Sequence, residues 1–352
     1  MKHSNYQKYL KIWIDILTPK QLLFFEPMIK ELGKKHKILC TTRKYREVDQ
    51  LAKIRKLRIK VIGKHGGSKN STKLNANLNR MKSLLPIIQR FKPERTISFC
   101  SPDAARISFG LQIKHIAFCD APHADAVMKL TIPLIQKLLI PWIIPKKEFT
   151  KYGILPKNII PYKAIDAALI ISQKPKKNTV PNLYKNKKNI LFRTHESNAS
   201  YAKRKIDLIK IIKKLNNVEN VNIIILGRYS DEINKLGKKL SKKIIVLKKS
   251  VDSGEILGIT DIFVGSGGTM TAESALRGIP TFSYNAIPNI IEEYLVRKKL
   301  VVRINENSKL EKLILKNLSN NSNIIKNRAK KELKKMENPT KKLQLVLDML
   351  NE

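Results

Sequence analysis

The sequence is short of acid. Against 70 lysines and arginines stand only 28 aspartates and glutamates, a formal net charge of +42 over 352 residues. The imbalance is spread along the chain, with 33 basic against 10 acidic residues in 1–165 and 37 against 18 in 166–352. A clustered basic patch would argue for a nucleic-acid surface. An even excess reads instead as solvated helix faces rich in lysine, such as Lys30, Lys34 and Lys35 or Lys210, Lys213 and Lys214. Its field still favours anionic partners: nucleotide sugars, acidic lipid surfaces and, non-specifically, nucleic acid. Aromatic residues make up only 6% of the chain, and neither aromatic-rich strands nor a recognition module is visible, so no specific nucleic-acid partner is expected.

Cysteine is scarce as well. Cys40, Cys100 and Cys119 each fall near the end of a predicted strand, and there is no C-x-x-C. That excludes a disulfide framework and reads as reduced core thiols of an intracellular protein. Long apolar runs are missing. The most apolar stretch, Ile132–Pro145, is broken by Gln136, Lys137 and three prolines and is too short to span a bilayer. The first residues, MKHSNYQKYLKIWIDIL, lack the shape of a signal peptide. A cytoplasmic location is expected, with any membrane contact peripheral and directed at anionic lipid. The histidines are scattered and no D-x-D stands at a strand end, so neither a metal nor a bound cofactor is expected. G-x-G-x-x-G and the P-loop are both absent.

What is present is alternation. In the first half, predicted strands at Lys11–Leu17, Ile38–Thr42, Ile59–Gly63, Arg95–Cys100, Lys114–Cys119 and Leu138–Pro141 are separated by helical stretches, the longest at Leu74–Phe91. A Lys-, Asn- and Pro-rich stretch at 164–188 reads as a linker between an N-terminal domain, 1–163, and a second one, 189–305. There the pattern restarts with strands at Asn189–Phe192, Val221–Leu226, Ile244–Leu247, Asp261–Val264, after Pro280 and at Leu300–Arg303, and helices at Tyr201–Leu215 and Asp231–Leu240. Residues 306–352 read as terminal helices. Strict alternation of strand and helix predicts an α/β fold of two doubly wound parallel sheets.

Ligands of such sheets bind beyond the carboxyl ends of the strands. The residues expected there in the first domain are Asp15, His65, Asp103, Asp120 and His123. Asp15 stands inside an apolar strand, where a carboxylate must be paired; it is expected to accept backbone N–H bonds or to meet ligand. Asp103 and Asp120 are acid/base or hydroxyl-anchoring candidates, or helix N-caps, and Asp120 is also placed to orient His123. His123 is a candidate general base, since histidine exchanges protons near neutral pH, or makes one structural bond at a helix start. His65 sits beside two glycines, in a loop approached by ligand or merely exposed.

The densest signal lies in the second domain, at DIFVGSGGTMTAESALRGIPTFSY, Asp261 to Tyr284. A strand runs into Gly265-Ser266-Gly267-Gly268 and then into a helix. Glycine lets backbone approach a ligand closely, and the free N–H groups and dipole of the following helix favour an anion, most often phosphate. Glu273, about one turn into that helix, is placed to accept hydrogen bonds from a ribose. Arg193 and Arg228 are candidates to clamp a diphosphate.

The run Gly267-Gly268-Thr269-Met270-Thr271-Ala272-Glu273, with Gly278-Ile279-Pro280, resembles the donor-binding element of GT-B glycosyltransferases, in the spacing of the lipid II-forming N-acetylglucosaminyltransferases. It is also similar to the turn and Glu of the non-hydrolysing UDP-N-acetylglucosamine 2-epimerases. The resemblance implies a GT-B architecture in which Gly267, Gly268 and Thr269 face a diphosphate, Glu273 holds ribose, and the last helices pack back on the domains. WIDILTPKQLLFF, VIGKHGG, SPDAARISFGL and DAPHADAV, together with that run, are similar to the family catalogued as domain of unknown function 354. FRTHESNASY resembles an epimerase stretch that aligns His195. Asp103, Asp120 and Asp125 fall near epimerase carboxylates, but the arginine of the epimerases' first turn is missing at Asp15-Ile16-Leu17-Thr18-Pro19.

These likenesses imply a metal-independent glycosyltransferase using a nucleotide sugar, with a UDP-sugar as the expected donor. A UDP-N-acetylhexosamine 2-epimerase is the alternative, and a basic nucleic-acid-binding protein the second.

Overall fold

The computed structural model describes residues 9–67, 69–177, 180, 187–194, 207–227, 240–241, 243–247, 250–319 and 323–350. The chain divides into two compact units, one of residues 1–169 with 337–352 and the other of residues 170–336.

Unit 1 is a seven-stranded, all-parallel sheet. Its strands are β1 (Lys11–Ile16), β2 (Lys37–Lys44), β3 (Lys60–Lys64), β4 (Arg95–Ser98), β5 (Lys114–Phe118), β6 (Lys137–Pro141) and β7 (Ile159–Tyr162), in the order β3-β2-β1-β4-β5-β6-β7. The chain winds outward from β1 in one direction and then, from β4, in the other. The switch falls between β1 and β4, where an open α/β sheet leaves a crevice at its carboxyl edge. The apolar KIWIDI segment forms β1 because a central parallel strand is covered on both faces.

On one face Trp13, Ile62, Leu84, Ile88, Ala104 and Ile107 make a core with the helices Asn70–Phe91 and Pro102–Gly110. On the other Phe24, Phe25, Phe99 and Phe118 meet edge-on or stacked, with centroids 5.1–6.4 Å apart. Thr18 caps the helix Pro19–Leu32 by accepting from the Gln21 N–H, with Pro19 at its first position.

β7 was not expected. It is four residues long and contains Pro161, and proline in so short a run masks a strand that sits at a sheet edge. The Lys-rich stretch after it opens with a helix, Asp166–Ile171. The long helix begins at Asn70, four residues before its first leucine, because polar residues fill its exposed first turn.

Unit 2 is a six-stranded parallel sheet of β8 (Lys188–Arg193), β9 (Val221–Leu226), β10 (Ile245–Leu247), β11 (Ile262–Gly265), β12 (Thr281–Tyr284) and β13 (Val302–Ile304), in the order β10-β9-β8-β11-β12-β13. Here the switch lies between β8 and β11. Side chains alternate between two cores. Ile190, Phe192, Ile223, Ile225, Ile262 and Val264 serve one face, and Leu191, Ile224 and Phe263 the other. His195 and Arg228 lie outside the described residues, as do 201–206 of the helix expected at Tyr201–Leu215 and 231–239 of that expected at Asp231–Leu240; the rest of the former is seen as Leu208–Leu215.

Gly278 ends the helix Thr269–Leu276 with φ +73°, and a Cβ there would stand 2.6 Å from the Cα of Lys326 in the helix Asn323–Leu333. Gly278→Ala should cost unit 2 about 1–3 kcal/mol, seen as faster backbone hydrogen exchange in β11 and β12.

Candidate functional site

β11 delivers the chain to the switch point of unit 2 and ends at Gly265, whose register partner on β12 is Ser283. Two residues on, Gly267 and Gly268 take φ of +77° and +79°, a left-handed conformation open chiefly to glycine. A Cβ on Gly267 would meet that of Ala286 at 3.1 Å, whereas one on Gly268 would meet nothing within 4 Å. The backbone at Gly268 therefore borders open space. Gly268 is the N-cap of the helix Thr269–Leu276, and no side chain caps that end. The first turn is free to offer its N–H groups to an anion. The Thr271 hydroxyl donates back to the Gly267 carbonyl at 2.9 Å and fixes the turn on the helix.

Glu273 follows one turn later, 3% exposed. Ser253, at the start of the helix Ser253–Gly258, donates its hydroxyl to Glu273 Oε2 at 2.7 Å. Burial pushes the Glu273 carboxyl up to about 7, against the opposing pull of Ser253 and Arg277. Arg193 ends β8, the strand beside β11, and its Nη1 donates to the Gly227 carbonyl at 3.0 Å. Tyr284, at the end of β12, donates to the Arg193 carbonyl at 3.2 Å. The glycine turn, Glu273 and Arg193 thus cluster at one carboxyl edge.

The carboxyl edge of unit 1 is organised differently. Asp15, fully buried on β1, does not accept from backbone as expected. It takes the guanidinium of Arg80 on both oxygens, at 2.6 and 3.1 Å, and the hydroxyls of Thr41 at 2.6 Å and Ser101 at 2.7 Å. Arg80 also reaches Asp103 Oδ2 at 2.5 Å and the Ile62 carbonyl at 3.0 Å. Although burial opposes its charge, the Arg80 guanidinium is held above its ordinary value by Asp15 and Asp103.

The two aspartates part company. Burial works against the Asp15 charge, but Arg80, Thr41 and Ser101 outweigh it and hold the carboxyl below its ordinary value. Burial wins at Asp103, which has one Arg80 contact and the Asp15 charge beside it, and its carboxyl rises. Asn77 donates to the other Asp103 oxygen. The N-cap of the helix Pro102–Gly110 is Ser101, not Asp103.

Asp120 belongs to a second set. Lys20 binds it and, at 2.7 Å, Asp166, with the Phe99 ring 4.2 Å from Nζ. Tyr162 donates to Asp166 at 2.5 Å. Burial, with the Asp120 charge beside it, pushes the Asp166 carboxyl up to about 6 despite Lys20.

A family model described as "Protein of unknown function (DUF354)" matches residues 10–352. The chain belongs to the DUF354 family. One of its relatives is the uncharacterized protein MJ0665 of Methanocaldococcus jannaschii, 28% identical over 328 residues, 90% of this chain and 94% of that protein. Two solved structures are similar along almost the whole DUF354 chain. The UDP-GlcNAc 2-epimerase from Neisseria meningitidis bound to UDP-GlcNAc has a TM-score of 0.72 at 16% identity, covering 97% of this chain and 100% of that one. The spinosyn rhamnosyltransferase SpnG complexed with thymidine diphosphate has a TM-score of 0.63 at 13% identity, covering 98% and 100%. At these identities the likeness is one of fold: the DUF354 chain has the GT-B fold, two parallel-sheet α/β domains with helices.

Within the DUF354 chain, Asp103, Asp120 and Asp125 do not share one site. Asp103 is tied to Arg80 and Asn77, Asp120 to Lys20, and Asp125 is exposed on the helix Asp125–Thr131 with Lys129 and Tyr152. His123 is exposed on the turn after β5, and His65 is exposed after β3, its ring 5.3 Å from that of Tyr45. Arg80, Lys20, Asp166 and Ser253 were not anticipated. For Arg80 a signal existed: Arg80, Leu84 and Ile88 recur every fourth residue on the buried face of their helix. The cysteines are free and buried, and no helix of the described residues is long and apolar enough to cross a membrane.

Arg80→Met would leave Asp15 and Asp103 buried without their cation, and unit 1 should lose about 3–5 kcal/mol in a urea titration followed by tryptophan fluorescence; Trp13 and Trp142 both lie in unit 1. Glu273 predicts a pH dependence in unit 2. Its folded-state value, about 7, exceeds the ordinary carboxyl value of 4.5, so the folded form keeps a proton that the unfolded form releases. This contribution is full below 4.5 and is lost as pH rises through 7, at up to about 1.4 kcal/mol per unit. Glu273→Gln should flatten that decline in denaturation curves recorded from pH 4.5 to 8.

Proposed function

We propose that this protein is a glycosyltransferase that takes a nucleotide sugar, with a UDP-sugar as donor, in unit 2. The observation that carries the reading is the turn at Gly267 and Gly268. It stands at the switch point of the sheet, it opens an uncapped helix, and Glu273 lies one turn away. N–H groups of the turn and helix would meet the diphosphate, and Glu273 the ribose hydroxyls. The charge that develops on the leaving diphosphate is then met by preorganised N–H groups and the helix dipole. Arg193, on the neighbouring strand, is the candidate cation beside it. Neighbours of the same fold carry nucleotide ligands, UDP-GlcNAc in one and thymidine diphosphate in another, which supports a nucleotide-sugar ligand here.

Unit 1 would receive the acceptor. In the transfer step an acceptor hydroxyl attacks the anomeric carbon, the bond from that carbon to the diphosphate oxygen breaks, and the hydroxyl proton passes to a base. His123, exposed at the carboxyl edge of unit 1, is the candidate for that base. The bonding of the carboxylates favours transfer over epimerisation. An epimerase must take a proton from carbon and return one, which calls for free carboxyl groups. Asp103 has both oxygens engaged, Asp120 is held by Lys20, which it shares with Asp166, and Asp125 faces solvent with Lys129.

UDP-sugars should bind more tightly as pH rises through about 7, because only ionised Glu273 accepts from both ribose hydroxyls. Glu273→Gln should bind about tenfold or more weakly, with no such pH dependence. Calorimetric titration with UDP-GlcNAc, UDP-glucose and UDP-galactose from pH 6 to 8 checks both. No binding of any nucleotide sugar would remove the reading. Conversion of a single nucleotide sugar with no acceptor present would replace transfer by epimerisation.

A further inference from the structure

The buried Arg80 and Arg55 and the partly buried Lys20 each hold carboxylates: Asp15 and Asp103, Glu26, and Asp120 with Asp166. Arg43, two residues before the loop that follows β2, is a partly buried cation with none among the described residues. β2 pairs Thr42 with Val61 and Lys44 with Lys64, so that β3 sets Ile62 and Gly63 against Arg43 alone. The extra residue is a bulge, a device that recurs where a strand edge must aim a side chain. Thr41 meets Asp15 on the face covered by the helix Asn70–Phe91, and Arg43, two residues on, shares that face.

The Arg43 Nε is buried with no hydrogen-bond partner, and among the described residues no carboxylate lies within ion-pair distance of its guanidinium. Asp103 and Asp15 act on it only from farther away, and both are already engaged by Arg80. Burial and then the Arg80 charge hold Arg43 below its ordinary value.

The backbone brings two more residues with nitrogen donors, His65 and Lys73, to the same end of β2 and β3. His65 is exposed, and its backbone N–H bonds the Lys44 carbonyl at 3.2 Å, anchoring the loop to β2. Its Nδ1 accepts from the Gly67 N–H at 3.0 Å. The neutral ring therefore carries its proton on Nε2, a donor left for a ligand. Lys73 stands in the first turn of the helix Asn70–Phe91. A Cβ on Gly66 would lie 2.5 Å from the Lys73 Cα, so the loop is pressed directly onto that turn. No side chain caps this helix start, and no acidic residue stands in its first turn. Burial first, and then the charges of Arg43 and Lys73, hold the His65 imidazole below its ordinary value.

We propose that Arg43, His65 and Lys73 form a second anion site, in unit 1, for the phosphate or pyrophosphate group of a ligand distinct from the nucleotide sugar. The guanidinium fork suits two oxygens of a phosphate, the ammonium adds a point charge, and the imidazole N–H adds a directed bond. The site stands on unit 1 alone and holds whether or not unit 2 takes a nucleotide sugar.

The test uses inorganic pyrophosphate and the intact protein. The chain has six histidines, and histidine-observed NMR with His65→Gln for assignment follows each titration. Pyrophosphate should raise the His65 pKa by about one unit, since a bound anion favours the imidazolium, while the distant His36 titrates unchanged. Arg43→Gln should weaken pyrophosphate binding about tenfold or more by calorimetry, and Arg43→Lys, which keeps the charge and loses the fork, should weaken it less. Lys34→Gln removes an equal charge from an exposed pair with Glu31 and should change nothing. An unmoved His65 titration overturns the proposal, whether pyrophosphate then binds elsewhere or not at all. So does equal weakening by Arg43→Gln and Lys34→Gln, which would assign the effect to the overall positive field.

Discussion

The contact on which unit 1 depends is the guanidinium of Arg80 between Asp15 and Asp103. Three ionised groups, each at most 3% exposed, share one network at the switch point of the sheet. Each would be costly alone; together they are tolerable because nearly every lone pair and N–H in the group finds a partner. The network also sets the geometry around it. Arg80 ties its helix to β1 through Asp15, to the start of the Pro102–Gly110 helix through Asp103, and to β3 through the Ile62 carbonyl. Its stem passes so close to β3 that a Cβ on Gly63 would stand 2.9 Å from the Arg80 Cβ. At the centre of this carboxyl edge the charges of Arg80, Asp15 and Asp103 are spent on one another.

Unit 2 takes the opposite course at its own switch point. The turn there brings backbone N–H groups rather than side-chain ions, and space beside Gly268 rather than a partner. Glu273, nearby, has a single hydroxyl partner shown, Ser253, and is poised near neutrality instead of being fixed by a cation. One edge is internally neutralised and the other is left to be completed by a ligand. The unit 1 cluster of Arg43, His65 and Lys73 stands apart, just beyond the neutralised network, where charge is again in excess.

Much of this was legible in the chain. The β1 run KIWIDI, the Thr18-Pro19 cap and the strand–turn–helix around Gly267 each follow from local chemistry, and they were read close to their true bounds. Asp15 was conspicuous as a carboxylate in an apolar strand. Its partner was not, because Arg80 is one cation among many, and only its phase with Leu84 and Ile88 separates it from Lys73 and Lys82. Glu273 could be read from its distance to the glycines, whereas Ser253 comes from another helix and no spacing links the two. Asp120 was visible at a strand end, but that Lys20, 100 residues earlier, would hold it depends on how β1 and β5 are ordered in the sheet. β7 was lost to its length and its proline.

The helix Pro339–Met349 belongs to unit 1, where Leu343, Val346 and Leu347 are buried. Arg95 and Lys114 both donate to the carbonyl of Leu350, and Glu337 exchanges bonds with the backbone of Lys163. A ribosome delivers 1–169, then the whole of 170–336, and only then this helix. Unit 2 can therefore finish folding during synthesis while unit 1 still waits for its last piece. Until that piece arrives, the apolar seam near Leu32 and His36, where Leu347 comes to rest, stays open to solvent. Nascent chains of this protein thus carry an uncovered apolar seam late into translation, and the step that closes unit 1 joins segments more than a hundred residues apart, the kind of long-range closure that costs most in loop entropy.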